Sequence, residues 1–140
     1  MTRDQIVDLF NRRLQATHEH DVEALGDLYA PGAVVESPLG GTHQGREAIA
    51  SVIGAFFNAL SDARVTQDEL IIDGDCAVWV VTVSGTDNGG FMGMAPTRRP
   101  AQLPLVMVCK VANGLITHER RIYDFTGMLV QIGVLKAKPA

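Results

Sequence analysis

The sequence predicts an α+β fold in which about three N-terminal helices cover the open side of a curved, mostly antiparallel sheet that forms a cone (an α+β barrel). Apolar residues recur at helical spacing up to about residue 60, and the pattern then becomes β-branched and strand-like. Two strand-length apolar runs each contain a strong hairpin-turn pair, Asp73-Gly74 and Asn113-Gly114. Nothing in the composition marks a boundary, so residues 1–140 are predicted to form one domain.

Three helices are predicted in order. Thr2 followed by Gln5 resembles a capping box, so the first helix begins at about residue 3. Its apolar face comprises Ile6, Leu9, Phe10, Leu14 and Thr17. Asp21 is positioned to cap a second, shorter helix whose apolar residues are Val22, Leu25, Leu28 and Tyr29. The third helix has the clearest apolar stripe, formed by Ile49, Val52, Ile53, Phe56, Phe57 and Leu60.

The strands follow these helices, apart from one short strand at residues 33–37 that comes after Pro31-Gly32. Two long hairpins are predicted around the two turn pairs, and together they supply most of the sheet. Such a sheet curls rather than lying flat. A curled sheet with helices across its open side encloses a cavity, and small-molecule sites favour concave places of this kind.

Charge and composition exclude several classes of protein. The net charge of −4 argues against a nucleic-acid partner, because phosphate binding needs a basic surface. No apolar run approaches the ~20 residues of a membrane helix, and the start of the chain lacks the features of a signal peptide. Cys76 and Cys109 each lie in an apolar run, so we expect reduced, buried thiols in a cytoplasmic protein with no membrane or nucleic-acid partner.

The last predicted strand, LITHERRIYDF, carries the leading candidate for chemistry. If Asn113-Gly114 forms a two-residue turn, Asp124 lies opposite Leu103 and His118 opposite Cys109. An aspartate among apolar neighbours loses hydration, which raises its pKa and suits it to act as a general acid or base. The alternative is that Asp124 caps a helix beginning in FTGMLVQIG.

Spacing limits which residues can assist Asp124. His118 is six positions away on the same strand, roughly 20 Å at the rise of an extended chain, so the two side chains cannot touch. A partner would therefore come from another element: His18 or His20, Tyr29 or Trp79. His18, Glu19 and His20 cannot converge on one face of a helix, so no metal site is predicted.

The segment NGGFMGMAPTRRPAQLPLV joins the two hairpins and is rich in glycine, methionine and proline. Its apolar residues Phe91, Met92 and Met94 are predicted to lie over the cavity mouth, where methionine adapts to a ligand. The alternative is that these side chains complete the core or an interface between two subunits.

Several motifs together resemble the SnoaL-like polyketide cyclase family, within the superfamily of nuclear transport factor 2 and ketosteroid isomerase. Glycines 89 to 93 with Pro96-Thr97 resemble a Gly-rich segment that is common in the family. The end of the chain resembles the family's last hairpin and leucine-rich helix, through Gly114-Leu115-Ile116, Arg120, Asp124, Leu129, Gln131 and Gly133. The earlier DLYAPGAVVESPLGGTHQGREAI resembles its helix, strand and third-helix start.

This resemblance implies an α+β cone that is usually a homodimer and works without metal or organic cofactor. It also implies that Asp124 is the acid/base group in an aldol-type cyclisation or isomerisation of a small, apolar, carbonyl-containing substrate. His20, Tyr29 or His118 would orient the developing enolate oxygen. The predicted substrate-binding residues are Tyr29, Trp79, Phe91, Met92, Met94, Arg120 and Phe56.

The chain departs from the family pattern at Arg98, Leu115 and His118, where glycine, lysine and glutamate are common. The strand before the last hairpin also lacks the histidine that assists the aspartate in aromatic polyketide cyclases. Two alternatives stay open: an epoxide hydrolase resembling the limonene epoxide hydrolases, and a non-catalytic ligand-binding or dimerisation module. The strand AVWVVTVSGT lacks the Arg-x-Asp that the former chemistry uses.

Overall fold

A computed structural model of the chain describes residues 1–136. Within them the elements are α1 (Arg3–His18), α2 (Val22–Asp27), β1 (Tyr29–Ser37), β2 (Gly41–Gln44), α3 (Arg46–Ala59), β3 (Arg64–Asp73), β4 (Cys76–Thr86), β5 (Pro100–Ala112), β6 (Leu115–Tyr123) and α4 (Phe125–Gln131). In this part of the chain, no helix has the length and apolar character needed to cross a membrane.

The N-terminal helices begin where the capping residues predict. The Thr2 hydroxyl accepts a hydrogen bond from the Gln5 backbone N–H, and the Gln5 side chain accepts one from the Thr2 N–H. Asp21 caps α2 by accepting from the Ala24 N–H. The prediction is wrong at Tyr29, which begins β1 instead of extending α2. Its side chain therefore enters the core from the sheet.

The six strands form one curved, unclosed sheet in the order β2-β1-β6-β5-β4-β3, which confirms the predicted fold class. All neighbouring strands are antiparallel except β1 and β6, which run parallel. The concave face of the sheet and the helices bury a common core that includes Phe10, Tyr29, Ile49 and Trp79. The helices thus close one side of the cone, as the sequence predicts.

The two hairpin turns differ in how well the sequence locates them. Asn113 and Gly114 form the predicted two-residue turn, and both have the positive φ (53° and 81°) that a type I′ turn requires. In the first hairpin Asp73 already pairs with Cys76, so the turn is formed by Gly74 and Asp75, one residue later than predicted.

A bulge next to the second turn decides which side chains of β6 face the core. Ile116 pairs with Val111, but His118 pairs with Lys110, so Thr117 is an extra residue in β6. Beyond it Glu119 lies opposite Cys109 and Tyr123 opposite Leu105. The predicted register is therefore off by one residue, and this shift exchanges the two faces of the strand.

Candidate functional site

The cone encloses a cavity of about 250 Å³ between the concave face of the sheet and the helices. Its walls are mostly apolar and include Val52, Ile53, Phe56, Phe57, Trp79, Val81, Leu103, Met107, Phe125 and Met128. Leu39 and Gly40 also belong to the lining and are exposed, so the cavity opens to solvent beside the β1–β2 connection. Such a cavity suits a small, largely apolar ligand.

The polar side chains of the lining are few. Besides the indole N–H of Trp79, which is bound to Gln67, they are Arg13, Thr17, Ser37, Arg121 and Tyr123. Among residues 1–136, no carboxylate and no imidazole belongs to the lining. Within residues 1–136, no three His, Cys, Asp or Glu side chains come together as a possible set of metal ligands. The polar chemistry available inside the cavity is therefore that of guanidinium and hydroxyl groups.

The two arginines of the lining share one buried carboxylate, that of Glu119. Its side chain is completely buried and lies 2.6 Å from Arg13 Nη1 and 2.7 Å from Arg121 Nε. The Tyr29 hydroxyl donates to the same carboxylate over 3.0 Å and accepts from Arg13 Nη2 over 2.7 Å. The Cys109 thiol also donates to Glu119, over 3.4 Å. We call these five residues the ionic cluster.

Ionisation in the cluster follows from burial and charge. Burial alone would raise the pKa of Glu119, but the Arg13 and Arg121 guanidinium groups outweigh it and lower this pKa from 4.5 to about 2. Burial raises the pKa of Tyr29 and of the Cys109 thiol, so both stay protonated. Burial opposes the charge of both arginines, yet Glu119 more than compensates and raises the pKa of each. The cluster therefore carries one net positive charge.

Arg121 presents this charge to the cavity. Its Nε donates to Glu119, and this is the only hydrogen bond of its side chain to the rest of residues 1–136. Both terminal nitrogens therefore remain available to a ligand. Arg13 is used differently, because its terminal nitrogens bind Glu119 and Tyr29 and its guanidinium lies 4.8 Å from the centre of the Trp79 ring.

A second polar feature of the lining is a pair of hydroxyl groups. Ser37 Oγ and the Tyr123 hydroxyl lie 2.6 Å apart, and either can be the donor. Tyr123 follows Arg121 by two positions on β6, so both side chains face the cavity from the same face of the strand. The cavity thus presents a guanidinium and a hydroxyl group from neighbouring inward positions of β6.

Several predicted binding residues lie at or near this cavity. Trp79, Phe56 and Phe91 belong to its lining. Tyr29 is buried in the ionic cluster behind the lining, where its hydroxyl supports Glu119 rather than facing a ligand. Phe91 also packs edge-on against Phe125, with ring centres 5.8 Å apart, and the two rings belong to the same wall.

The other predicted residues lie elsewhere. His118 is on the outer face, 2.9 Å from Glu36, and Arg120 is exposed on the same face. His20 stacks on Phe57 at 4.2 Å and bonds to the Ala63 carbonyl, behind the lining. None of these three residues lines the cavity. Met94, which is half-buried in the loop after β4, does not line it either. The bulge at Thr117 explains the positions of His118 and Arg120, because it turns their face of β6 outward.

Asp124 is exposed and caps α4, accepting the Gly127 N–H over 2.9 Å. The expectation of apolar surroundings is therefore wrong, and the capping alternative describes its observed contact. The same one-residue shift is the reason, since it brings Tyr123 rather than Asp124 to the inner face. The acid/base role of Asp124 stays a prediction.

The loop after β4 is held firmly by its first residue. The buried Asp87 carboxylate accepts from the Gly90 N–H and from both the N–H and the hydroxyl of Thr97. The Gly89 N–H bonds to the Ala59 carbonyl at the end of α3. Met92 is 70% exposed and is not part of the cavity lining, so its place over the cavity mouth stays a prediction. Among the loop's apolar side chains, Phe91 alone reaches the lining.

The ionic cluster is the part of the site that the sequence analysis missed. One signal was present, because Arg13 lies three positions after Phe10 and four after Leu9, inside the apolar stripe of α1. A charged residue at such a position is rarely buried without a partner. It therefore indicates an acid somewhere in the sheet, although nothing local identifies that acid as Glu119.

Comparisons with known proteins agree with the overall fold. A family model for the SnoaL-like domain matches residues 10–119. TsrD from Streptomyces laurentii is 25% identical, with a TM-score of 0.86 over 96% of this chain and 99% of that chain. IdmH, a putative polyketide cyclase from Streptomyces antibioticus, is 27% identical, with a TM-score of 0.77 over 91% and 97%. A putative polyketide cyclase from Sinorhizobium meliloti is 30% identical, with a TM-score of 0.64 over 82% and 94%. No curated protein sequence matches significantly.

Proposed function

Because the chain belongs to the SnoaL-like domain family, we propose that it is a small-molecule enzyme of the polyketide cyclase or isomerase type, acting on an apolar carbonyl compound. The observation that carries this proposal is the Arg121 guanidinium in the lining of a mostly apolar cavity. When a carbon beside a carbonyl loses a proton, negative charge develops on the carbonyl oxygen. A fixed cationic donor at that oxygen stabilises the charge.

The surroundings of Arg121 make it an effective donor. Glu119 holds its Nε, and Arg13 and Tyr29 in turn hold Glu119, so the guanidinium needs little reorganisation when charge develops. The mostly apolar walls lower the local dielectric constant, which strengthens electrostatic interactions inside the cavity. The hydroxyl of Tyr123 lines the same cavity and is free to donate to a ligand when Ser37 donates to it.

The proposed acid/base group is Asp124, as the family resemblance implies. It follows Tyr123 and precedes Phe125, both of which line the cavity. One carboxylate oxygen accepts the Gly127 N–H, so the other is available for a proton. If Asp124 does not serve, the proton passes to solvent through the open mouth beside Leu39.

Deuterium exchange of a simple ketone tests the proposal. In D₂O the methyl protons of 2-acetylnaphthalene exchange through the enolate, and NMR follows their loss. Wild-type protein is expected to accelerate exchange over buffer, and Arg121→Gln to remove about 10²-fold of that acceleration, the usual effect of losing one oxyanion donor. Arg12→Gln is the matched control, because Arg12 is exposed and pairs only with Asp8.

Each variant of this experiment answers a separate question. Exchange that persists unchanged in Arg121→Gln would refute the proposed role of the guanidinium. Loss of exchange in Asp124→Asn would support Asp124 as the base. Exchange that survives in that variant would mean that solvent, rather than Asp124, accepts the proton. No acceleration by the wild-type protein would refute the carbonyl chemistry itself.

One observation favours a second candidate function, a non-catalytic binding protein for the same ligands. In the part of the chain that the structure describes, the lining has no carboxylate and no imidazole, so these residues place no strong base in the cavity. Binding of the ketone without exchange would support this candidate. The epoxide hydrolase alternative is less favoured, because it requires two carboxylates beside an arginine and the lining contains none.

A homodimer, as the family resemblance implies, is a further part of the proposal. The outer face of the sheet exposes about half of Ile71 and Ile122 (49% and 48%) and leaves Val78, Val80, Val106 and Val108 half-buried. Sedimentation equilibrium measures the mass in solution, and a monomer at micromolar concentration would contradict this part. The cytoplasmic location also stays a prediction.

A further inference from the structure

We propose that the cavity selects ligands that carry a single negative charge, and this inference rests on the proposed function. Two coplanar oxygens of the ligand would share the charge and would bind the terminal nitrogens of Arg121. A carboxylate carries such a pair, and so does the enolate of a 1,3-dicarbonyl compound. The remainder of the ligand would be apolar, like the walls around it.

The first argument is the balance of charge. Arg13 and Arg121 are both cationic, Glu119 is anionic, and Tyr29 and Cys109 are neutral, so one positive charge is left over. Within the described residues, no aspartate or glutamate lines the cavity to neutralise this charge. An uncompensated charge in a largely apolar enclosure is unfavourable, so an anionic ligand gains more here than it would beside an exposed arginine.

The second argument is the geometry of the donors. Nε of Arg121 donates to Glu119 over 2.7 Å, and this contact fixes the plane of the guanidinium. The two terminal nitrogens then form a flat fork that matches two coplanar oxygens. Arg13 offers no second fork, because its terminal nitrogens already bind Glu119 and Tyr29. The site therefore fits one anionic group.

The third argument is persistence with pH. No member of the cluster changes its charge between about pH 5 and about pH 8, because the pKa of Glu119 is far below this range and the pKa values of Tyr29 and Cys109 lie above it. A preference for anions should therefore be constant across this range. A site that depended on a histidine would lose its positive charge there.

Matched naphthalene probes test this proposal by binding alone. 2-Naphthoate and 2-naphthamide have nearly the same shape and differ in charge, while 1-(2-naphthyl)butane-1,3-dione supplies the enolate source. Trp79 is the chain's single tryptophan and lines the cavity, so its fluorescence reports entry of each probe. Calorimetry gives the affinity, and circular dichroism confirms that each variant is folded.

The wild-type protein is expected to bind at least one anion about 10- to 100-fold more tightly than the amide, the range of charge-assisted hydrogen bonds. Tighter binding of naphthoate than of naphthamide would identify a carboxylate as the anionic group. Dione binding that becomes tighter as the dione ionises would identify an enolate as the anionic group. In Arg121→Gln the preference should vanish while amide affinity changes by less than about threefold, and Arg12→Gln should behave as wild type.

Arg121→Lys keeps the charge but loses the flat fork, so it should retain only part of the preference. The lysine variant also provides the test of the proposal if Arg121→Gln does not fold. Equal binding of amide and anions by the wild-type protein, with a Trp79 response, would overturn the anion proposal and leave a cavity for neutral ligands. An anion preference without ketone exchange would instead remove the proposed chemistry and keep the anion site.

Discussion

Replacing Glu119 by glutamine is the most informative perturbation of this structure. The amide has nearly the shape of the carboxylate but no charge, so the change leaves Arg13 and Arg121 without their shared counter-charge. Their side chains are only 4% and 14% exposed, so solvent cannot substitute for the lost carboxylate. We therefore expect a large loss of stability with little change in packing.

Two independent routes give similar magnitudes for this loss. Removing one partner of a buried ion pair typically costs about 3–5 kcal/mol, because it strands the other charge. The fall in the pKa of Glu119 from 4.5 to about 2 corresponds to roughly 3 kcal/mol of stabilisation of the carboxylate, at about 1.4 kcal/mol per pKa unit. For a chain of this size such a loss lowers Tm by roughly 10 °C.

Urea unfolding followed by Trp79 fluorescence and circular dichroism measures the effect. Glu36→Gln is the matched control, because Glu36 pairs with His118 at the surface with 48% of its side chain exposed. An exposed pair contributes at most about 1 kcal/mol, so this variant should stay close to wild type. A loss below about 1 kcal/mol in Glu119→Gln, or one equal to that of the control, would refute the reasoning.

The same carboxylate predicts part of the acid sensitivity. Its pKa in the folded chain lies below the unfolded value, so its contribution is complete above about pH 4.5 and is lost as the pH falls towards about 2. Glu119→Gln should therefore lose less stability than wild type over that interval. An unchanged acid slope would mean that Glu119 is not held in its charged form by the two arginines.

Two further pairs of variants test local packing by urea unfolding. Asp124→Ala should lose about 1 kcal/mol by removing the cap of α4, whereas Asp124→Asn should stay within a few tenths because asparagine also caps; equal losses would argue against capping. Gly89→Ala should cost about 1–3 kcal/mol, because its Cβ would meet the Asn58 carbonyl, and Gly54→Ala in open space on α3 should instead gain about 0.5–1 kcal/mol. A tolerated Gly89→Ala would show that the loop can shift away from α3.

The fold could be predicted from the sequence because its determinants are local. Thr2 with Gln5 starts α1, Asp21 starts α2, and the positive φ angles that Asn113-Gly114 adopts readily make the second hairpin turn. Tyr29 escaped prediction for the opposite reason. Its helical spacing after Leu25 fits α2, but parallel pairing of β1 with β6, distant in sequence, draws it into the sheet.

The candidate site could not be predicted because one residue exchanges the faces of β6. Alternation along LITHERRIYDF correctly separates Glu119 and Tyr123 from Asp124, but it does not say which set faces inward. The bulge at Thr117 decides that, and it depends on how β6 aligns with both β5 and β1. For this reason the sequence analysis placed Asp124, rather than Tyr123, on the inner face of the strand.

Stability alone does not account for the ionic cluster. Replacing a whole buried ion network by well-packed apolar residues is often neutral or stabilising, so a gain in stability is not by itself a reason for Arg13, Glu119 and Arg121 to be buried here. What an apolar core could not provide is a cation fixed at the wall of a largely apolar cavity. Arg13 holds Glu119 in its charged form, Glu119 holds Nε of Arg121, and the remaining charge faces the ligand space. The proposed anion site would account for the cost of burying three charges, because a ligand oxygen would use the charge that is left.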